Sequence, residues 1–81
     1  MGYAIMAEKL IDRLARGCEV VIVSANENYN SAIFYATHKG EIWSWSREIG
    51  DYGPYKRERL AAHFAKMAKE GASLFVRGGV E

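Results

Sequence analysis

The sequence predicts an α+β domain, a two-layer α/β sandwich in which two helices pack a four-stranded mixed sheet. Three observations carry that prediction. Two segments, near 3–16 and 54–70, repeat apolar residues at the 3.6-residue period of an amphipathic helix. Four other runs are rich in β-branched or aromatic residues and are bounded by Gly, Asn or Lys-Gly turn signals. The 81 residues, 49% of them apolar, suffice for one small core, so 1–81 reads as a single domain.

In the first helix Tyr3, Ala7, Leu10, Ile11 and Leu14 share one face, and Glu8, Lys9, Asp12, Arg13 and Arg16 occupy the other. Gly17 is placed to end it. Glu19–Ala25 is apolar on both alternating faces, which suits a central strand covered on two sides. Asn26, Glu27, Asn28, Tyr29 and Asn30 make a polar turn. A second strand is expected from Ser31 to His38 and a third from Glu41 to Ile49, joined by Lys39-Gly40 as a two-residue hairpin. That turn sets a register in which His38 faces Glu41, Ala36 faces Trp43 and Phe34 faces Trp45. Ala32, Phe34, Ala36, Trp43 and Trp45 then share the core side, and Ile33, Tyr35, Ile42, Ser44 and Ser46 the other.

Gly50–Gly53 reads as a loop, and Pro54 as the first residue of the second helix. Leu60, Ala61, Phe64, Met67 and Ala68 form that helix's apolar stripe, and Gly71 closes it. Ser73–Arg77 is the last strand. The order is α-β-β-β-α-β. A right-handed crossover would lay the last strand beside the first and parallel to it, giving spatial order 4-1-2-3 with the third and last strands as edges.

The composition excludes several functions. The only cysteine, Cys18, rules out an internal disulfide or a cysteine-based zinc site and reads as a small buried side chain in a reducing, cytoplasmic setting. No apolar run approaches the roughly 20 residues of a membrane span. Ser24, Ser44 and Ser46 lack a nucleophile-elbow context, and Gly78-Gly79 precedes no helix, so it is no phosphate loop. His38 opposite Glu41 at a hairpin tip is an exposed electrostatic pair before it is a catalytic one. The reading is therefore no catalytic residue, no metal and no cofactor.

Charge points to binding. Between Lys56 and Lys69 lie Lys56, Arg57, Arg59, Lys66 and Lys69 against a single acid, Glu58, with Glu70 just beyond, while the whole chain carries only +1. The remainder is net acidic, so the molecule is lopsided rather than basic. Lys56, Arg59, His63 and Lys66 fall within about 80° on a 3.6-residue helix. These four, with Arg57 and Lys69, are the candidate partner- or anion-binding residues. Trp43, Trp45 and Arg47 are a second candidate surface, in which the aromatic rings either fill the core or stack nucleic-acid bases.

The order α-β-β-β-α with Lys56-Arg57-Glu58 opening the second helix is similar to the double-stranded RNA-binding domain, and the resemblance implies phosphate contacts from that helix start. The likeness is one of topology and of this short segment. Arg59 and Leu60 stand where that family has Ala and Lys, and this chain adds a final strand.

Two functional expectations follow. The first is a small non-catalytic protein acting through protein–protein contact, of the kind phage or mobile elements use as an inhibitor of a host factor. It rests on the sheet. If both helices cover one face, the other is left apolar, with alternate residues of the first strand plus Ile33, Tyr35 and Ile42, and calls for a protein partner or a homodimer mate. The second is a nucleic-acid-binding module using the basic helix 54–70.

Overall fold

The computed structural model describes residues 2–23 and 31–78. The polar turn expected at 26–30, and Ser24 and Ala25 at the end of the first strand, lie outside the described residues. The architecture is α+β, in the order α1 (Tyr3–Ala15), β1 (Glu19–Val23), β2 (Ala32–Ala36), β3 (Ile42–Ser46), β4 (Gly50–Tyr52), α2 (Arg57–Lys69) and β5 (Ser73–Arg77). The five strands form one antiparallel sheet in the order β4-β3-β2-β1-β5.

Both helices lie on the same face of that sheet. Ala7, Leu10, Ile11 and Leu14 of α1 and Leu60, Phe64 and Met67 of α2 close over Val20, Ile22 and Phe34. Phe34 anchors the layer: its ring meets Phe64 edge-on at 4.9 Å and Tyr55 at 5.3 Å, separations at which aromatic pairs add about 0.5–1.5 kcal/mol beyond their burial. Cys18 is buried, as its position implied. Tyr3, placed on the core stripe by periodicity, is half exposed in the first turn.

Three sequence expectations are corrected. The first concerns register. The hairpin loop has three residues, His38-Lys39-Gly40, because Thr37 and not His38 pairs with Glu41. The Thr37 N–H donates to the Glu41 carbonyl at 2.7 Å, and the Thr37 hydroxyl accepts the Lys39 and Glu41 N–H groups at 3.3 Å. Gly40 takes φ 82°, the left-handed residue such loops require. The strand pairs are therefore Ala36 with Ile42, Tyr35 with Trp43, Phe34 with Ser44 and Ile33 with Trp45. A one-residue slip turns every side chain over. Trp43 and Trp45 leave the core side, and Ile42, Ser44 and Ser46 join it. His38 and Glu41 are not cross-strand partners.

The second correction is an added strand, which also changes the direction of β5. Gly50-Asp51-Tyr52 pairs with Ser46, Trp45 and Ser44, so β4 rather than β3 is the sheet edge, and Arg47 sits in the turn between them. Three up-and-down strands would leave the chain at one end of the sheet. A fourth returns it to the other end, so α2 runs the opposite way and β5 enters antiparallel to β1. Its place beside β1 is unchanged; its polarity is reversed, and the sheet is not mixed.

The third is where α2 begins. Pro54 is outside the helix, which starts at Arg57 with Lys56 as its extended N-terminal neighbour (φ −78°, ψ 142°). Each helix has 13 residues, and none among the described residues is long and apolar enough to cross a membrane.

Candidate functional site

Two surfaces emerge, separated by the edge strand β4. The first is the sheet face away from the helices. Alternation along each strand sends Val21 and Val23, Ile33 and Tyr35, Trp43 and Trp45, Asp51, and Phe75 to that side. The pairing sets Phe75, Val21, Ile33, Trp45 and Asp51 in one row across all five strands. Much of the row meets solvent: Phe75 is 54% exposed, Trp45 46%, and Val23, next along β1, 45%.

Polar groups frame this apolar centre. Arg77 pairs with Glu19 at 2.8 Å on the β5 side. The Tyr35 hydroxyl donates to Asp51 at 2.6 Å, and Trp43 Nε1–H donates to Glu41 at 3.4 Å. The Asp51 carboxylate accepting its proton raises the Tyr35 phenol above its ordinary value. Among the described residues these three carboxylates outnumber the one guanidinium, and the frame they make is acidic.

The second surface is a cleft of about 670 Å³ between α2 and the edge of the sheet, lined by Tyr52, Pro54, Tyr55, Lys56, Arg59, Ala62, His63 and Lys66. Tyr52 stands on the helix side of β4, since it pairs with Ser44, and its ring meets Tyr55 at 5.6 Å. Tyr55 is fixed from beneath by Phe34 and by a 2.8 Å hydrogen bond between its hydroxyl and the buried Ser44 hydroxyl. One wall is therefore a braced aromatic step and the other a line of cations. His63 lies midway, its ring 6.3 Å from Phe34. Burial, and then the charge of Lys66, push the His63 imidazole below its ordinary value.

Of the six residues expected to bind a partner or anion, the structure gathers four, Lys56, Arg59, His63 and Lys66, in this cleft. Arg57 is committed elsewhere: its guanidinium crosses to α1 and meets Glu8 at 2.7 Å and Asp12 at 3.1 Å. That contact explains a cation in the first turn of a helix, where the helix dipole opposes it. Neighbouring carboxylates raise the Arg57 value further. Lys69 does not line the cleft.

Trp43 and Trp45 belong to the open face, and Arg47 to the exposed β3–β4 turn. Glu41, His38 and Arg57 share a second hollow, of about 710 Å³, near the β2–β3 hairpin. Tyr52, Tyr55 and Phe75 were not singled out from the sequence. The two tyrosines flank Gly53-Pro54, which reads as a loop, and Phe75 sits among apolar neighbours Leu74 and Val76, where alternation gives no signal.

Among the described residues no three His, Cys, Asp or Glu side chains are grouped to hold a metal ion. Comparison with family models, curated proteins and solved structures finds no match to this chain.

Proposed function

We propose that this chain is a non-catalytic binding domain that engages another protein through its open sheet face. The observation that supports the reading is the apolar row Phe75–Val21–Ile33–Trp45 on a face that neither helix covers. Exposed aromatic and aliphatic groups gathered in one patch are typical of interaction surfaces. Covering the remaining 46% of Trp45 alone would remove about 110 Å² from water, a gross gain of roughly 3 kcal/mol before the ordering costs of association.

The frame sets the partner's chemistry. Glu19, Glu41 and Asp51 against Arg77 repel a phosphate backbone, so nucleic acid is a poor occupant of this face despite its aromatic rings. The fitting partner is a protein with an apolar centre and cations at its rim.

The test is site-specific photo-crosslinking in host-cell lysate, with a benzophenone side chain at Phe75 or Trp45 and a control at Lys9 on the exposed side of α1. A single protein captured from both face positions, and not from Lys9, is the expected result. Equal capture from all three positions would sink the reading. Cross-links only to a second copy of the chain would assign the face to a homodimer instead.

A further inference from the structure

We propose that the cleft beneath α2 binds single-stranded nucleic acid, with phosphates on Lys56, Arg59 and Lys66 and a base stacked on Tyr52. This site is separate from the open sheet face and does not depend on it. Its volume of about 670 Å³ falls within the roughly 300–1,000 Å³ of ordinary ligand sites.

Three features of the cleft select this ligand class. First, its cations are uncommitted. Arg57, one residue outside the lining, is neutralised by Glu8 and Asp12, whereas Lys56, Arg59 and Lys66 make no ion pair among the described residues. No carboxylate among the described residues lines the cleft. Second, the cations recur along one helix flank at positions 56, 59 and 66, with His63 between. Each turn of three or four residues advances about 5 Å, so the line follows a strand of successive phosphates rather than a single compact anion. Third, the facing wall is aromatic. Tyr55 is held by Ser44 and Phe34, and Tyr52 rests against it with 58% of its surface free. Flat exposed rings beside a basic groove are the shared design of sequence-tolerant single-strand binders. A duplex keeps its bases stacked inside and offers nothing to Tyr52.

The number of cations fixes a measurable consequence. Three phosphate contacts on a single strand give a slope of log K against log salt of about −2. Neutral His63 adds nothing to that slope near pH 7, its charge being held off by burial and by Lys66.

The experiment is fluorescence anisotropy of the whole chain with labelled dT10 and rU10 over a salt series, with the matching duplex and with heparin as competitors. Binding to the single strands is expected with a salt slope of about −2. Arg59→Ala with Lys66→Ala should flatten the slope to about −0.7, the value for one remaining phosphate contact. Tyr52→Ala should weaken binding about fivefold or more while leaving the slope unchanged, since stacking is not ionic. A preference for dT10 or rU10 would assign the natural strand as DNA or RNA, both on the same chemistry.

Four results would overturn the proposal: no salt dependence, duplex bound more tightly than single strands, an acidic peptide bound as tightly as dT10, or a Tyr52→Ala variant that binds as the parent does. Trp45→Thr is the control on the other face. If it weakened the strands as much as Tyr52→Ala, the open sheet and not the cleft would be the nucleic-acid surface, and both this proposal and the protein-binding reading of that face would fall.

Discussion

Replacing Trp45 by Thr tests the register on which both surfaces depend. In the slipped pairing that a two-residue turn would give, Trp45 faces Phe34 in the core. Truncating a buried aromatic side chain there would cost about 3–5 kcal/mol. In the observed pairing Trp45 faces Ile33, on the open side, with 46% of its surface in solvent. Roughly half its contacts then remain to be lost, and Thr keeps the preference for a strand, so the cost falls to about 1–2 kcal/mol.

A domain of 81 residues unfolds with an entropy near 170 cal/mol/K, so each kcal/mol moves the melting temperature by about 6 °C. Trp45→Thr should therefore lower Tm by about 6–12 °C, whereas Phe34→Ala, at a position only 2% exposed, should lower it by about 18–30 °C or abolish the cooperative transition. Thermal and urea unfolding followed by circular dichroism read both. A Trp45→Thr variant as damaged as Phe34→Ala would mean that the tryptophans are core after all. The open face, and the protein-binding function proposed for it, would go with them.

Gly53→Ala should cost about 2–4 kcal/mol in urea unfolding, because Gly53 has φ 154° and an added Cβ would come within 2.9 Å of the Trp43 ring and 3.1 Å of the Ile42 carbonyl; a loss under about 1 kcal/mol would contradict that packing. His63 faces Phe34, Tyr52 and Tyr55, shares its helix flank with Lys56, Arg59 and Lys66, and has its imidazole value lowered by burial and Lys66. Its contribution to stability is thus complete above the unfolded value of about 6.5 and is lost as pH falls below it. Tm should drop between about pH 7 and 5 less steeply in His63→Asn than in the parent, and an unchanged profile would refute the placement. The Tyr35 phenol, raised by Asp51, stabilises the fold fully below about pH 10 and ceases to as pH climbs through its raised value; ultraviolet titration should show a late phenolate at Tyr35 that Asp51→Asn removes. Arg57→Ala should lower Tm slightly in dilute buffer and not at all in molar salt, since Glu8 and Asp12 meet it at the surface; a salt-independent loss would point to packing instead.

Periodicity was enough to read the helices, because each carries an unbroken apolar stripe with charges opposite. The α+β class and the place of the last strand beside the first follow from the same patterns. Lys56, Arg59, His63 and Lys66 could be grouped from helical angles alone. The failures have specific causes. Lys39-Gly40 resembles a two-residue turn, but the Thr37 hydroxyl captures two backbone N–H groups and draws Thr37 into the closing pair. Nothing in a local window distinguishes those outcomes, and the difference of one residue decides which face holds the tryptophans. Gly50-Asp51-Tyr52 has no β-branched residue and begins with Gly, so it reads as loop; only its pairing with β3 makes it a strand. Arg57 looked like an anion ligand because its partners Glu8 and Asp12 are more than forty residues away.

The short strand β4 is where the two surfaces are made distinct. Its three residues alternate, so Asp51 turns to the open face and Tyr52, the next residue, to the cleft. Asp51 accepts the Tyr35 hydroxyl and closes the acidic frame; Tyr52 leans on Tyr55 and builds the aromatic wall of the cleft. The chain's charge asymmetry, weak as a sum, thereby becomes strong in space, with carboxylates around an apolar sheet on one side and uncommitted cations along α2 on the other. A partner protein and a nucleic-acid strand would not compete for the same atoms. They would share only β4, where Asp51 belongs to one surface and Tyr52 to the other.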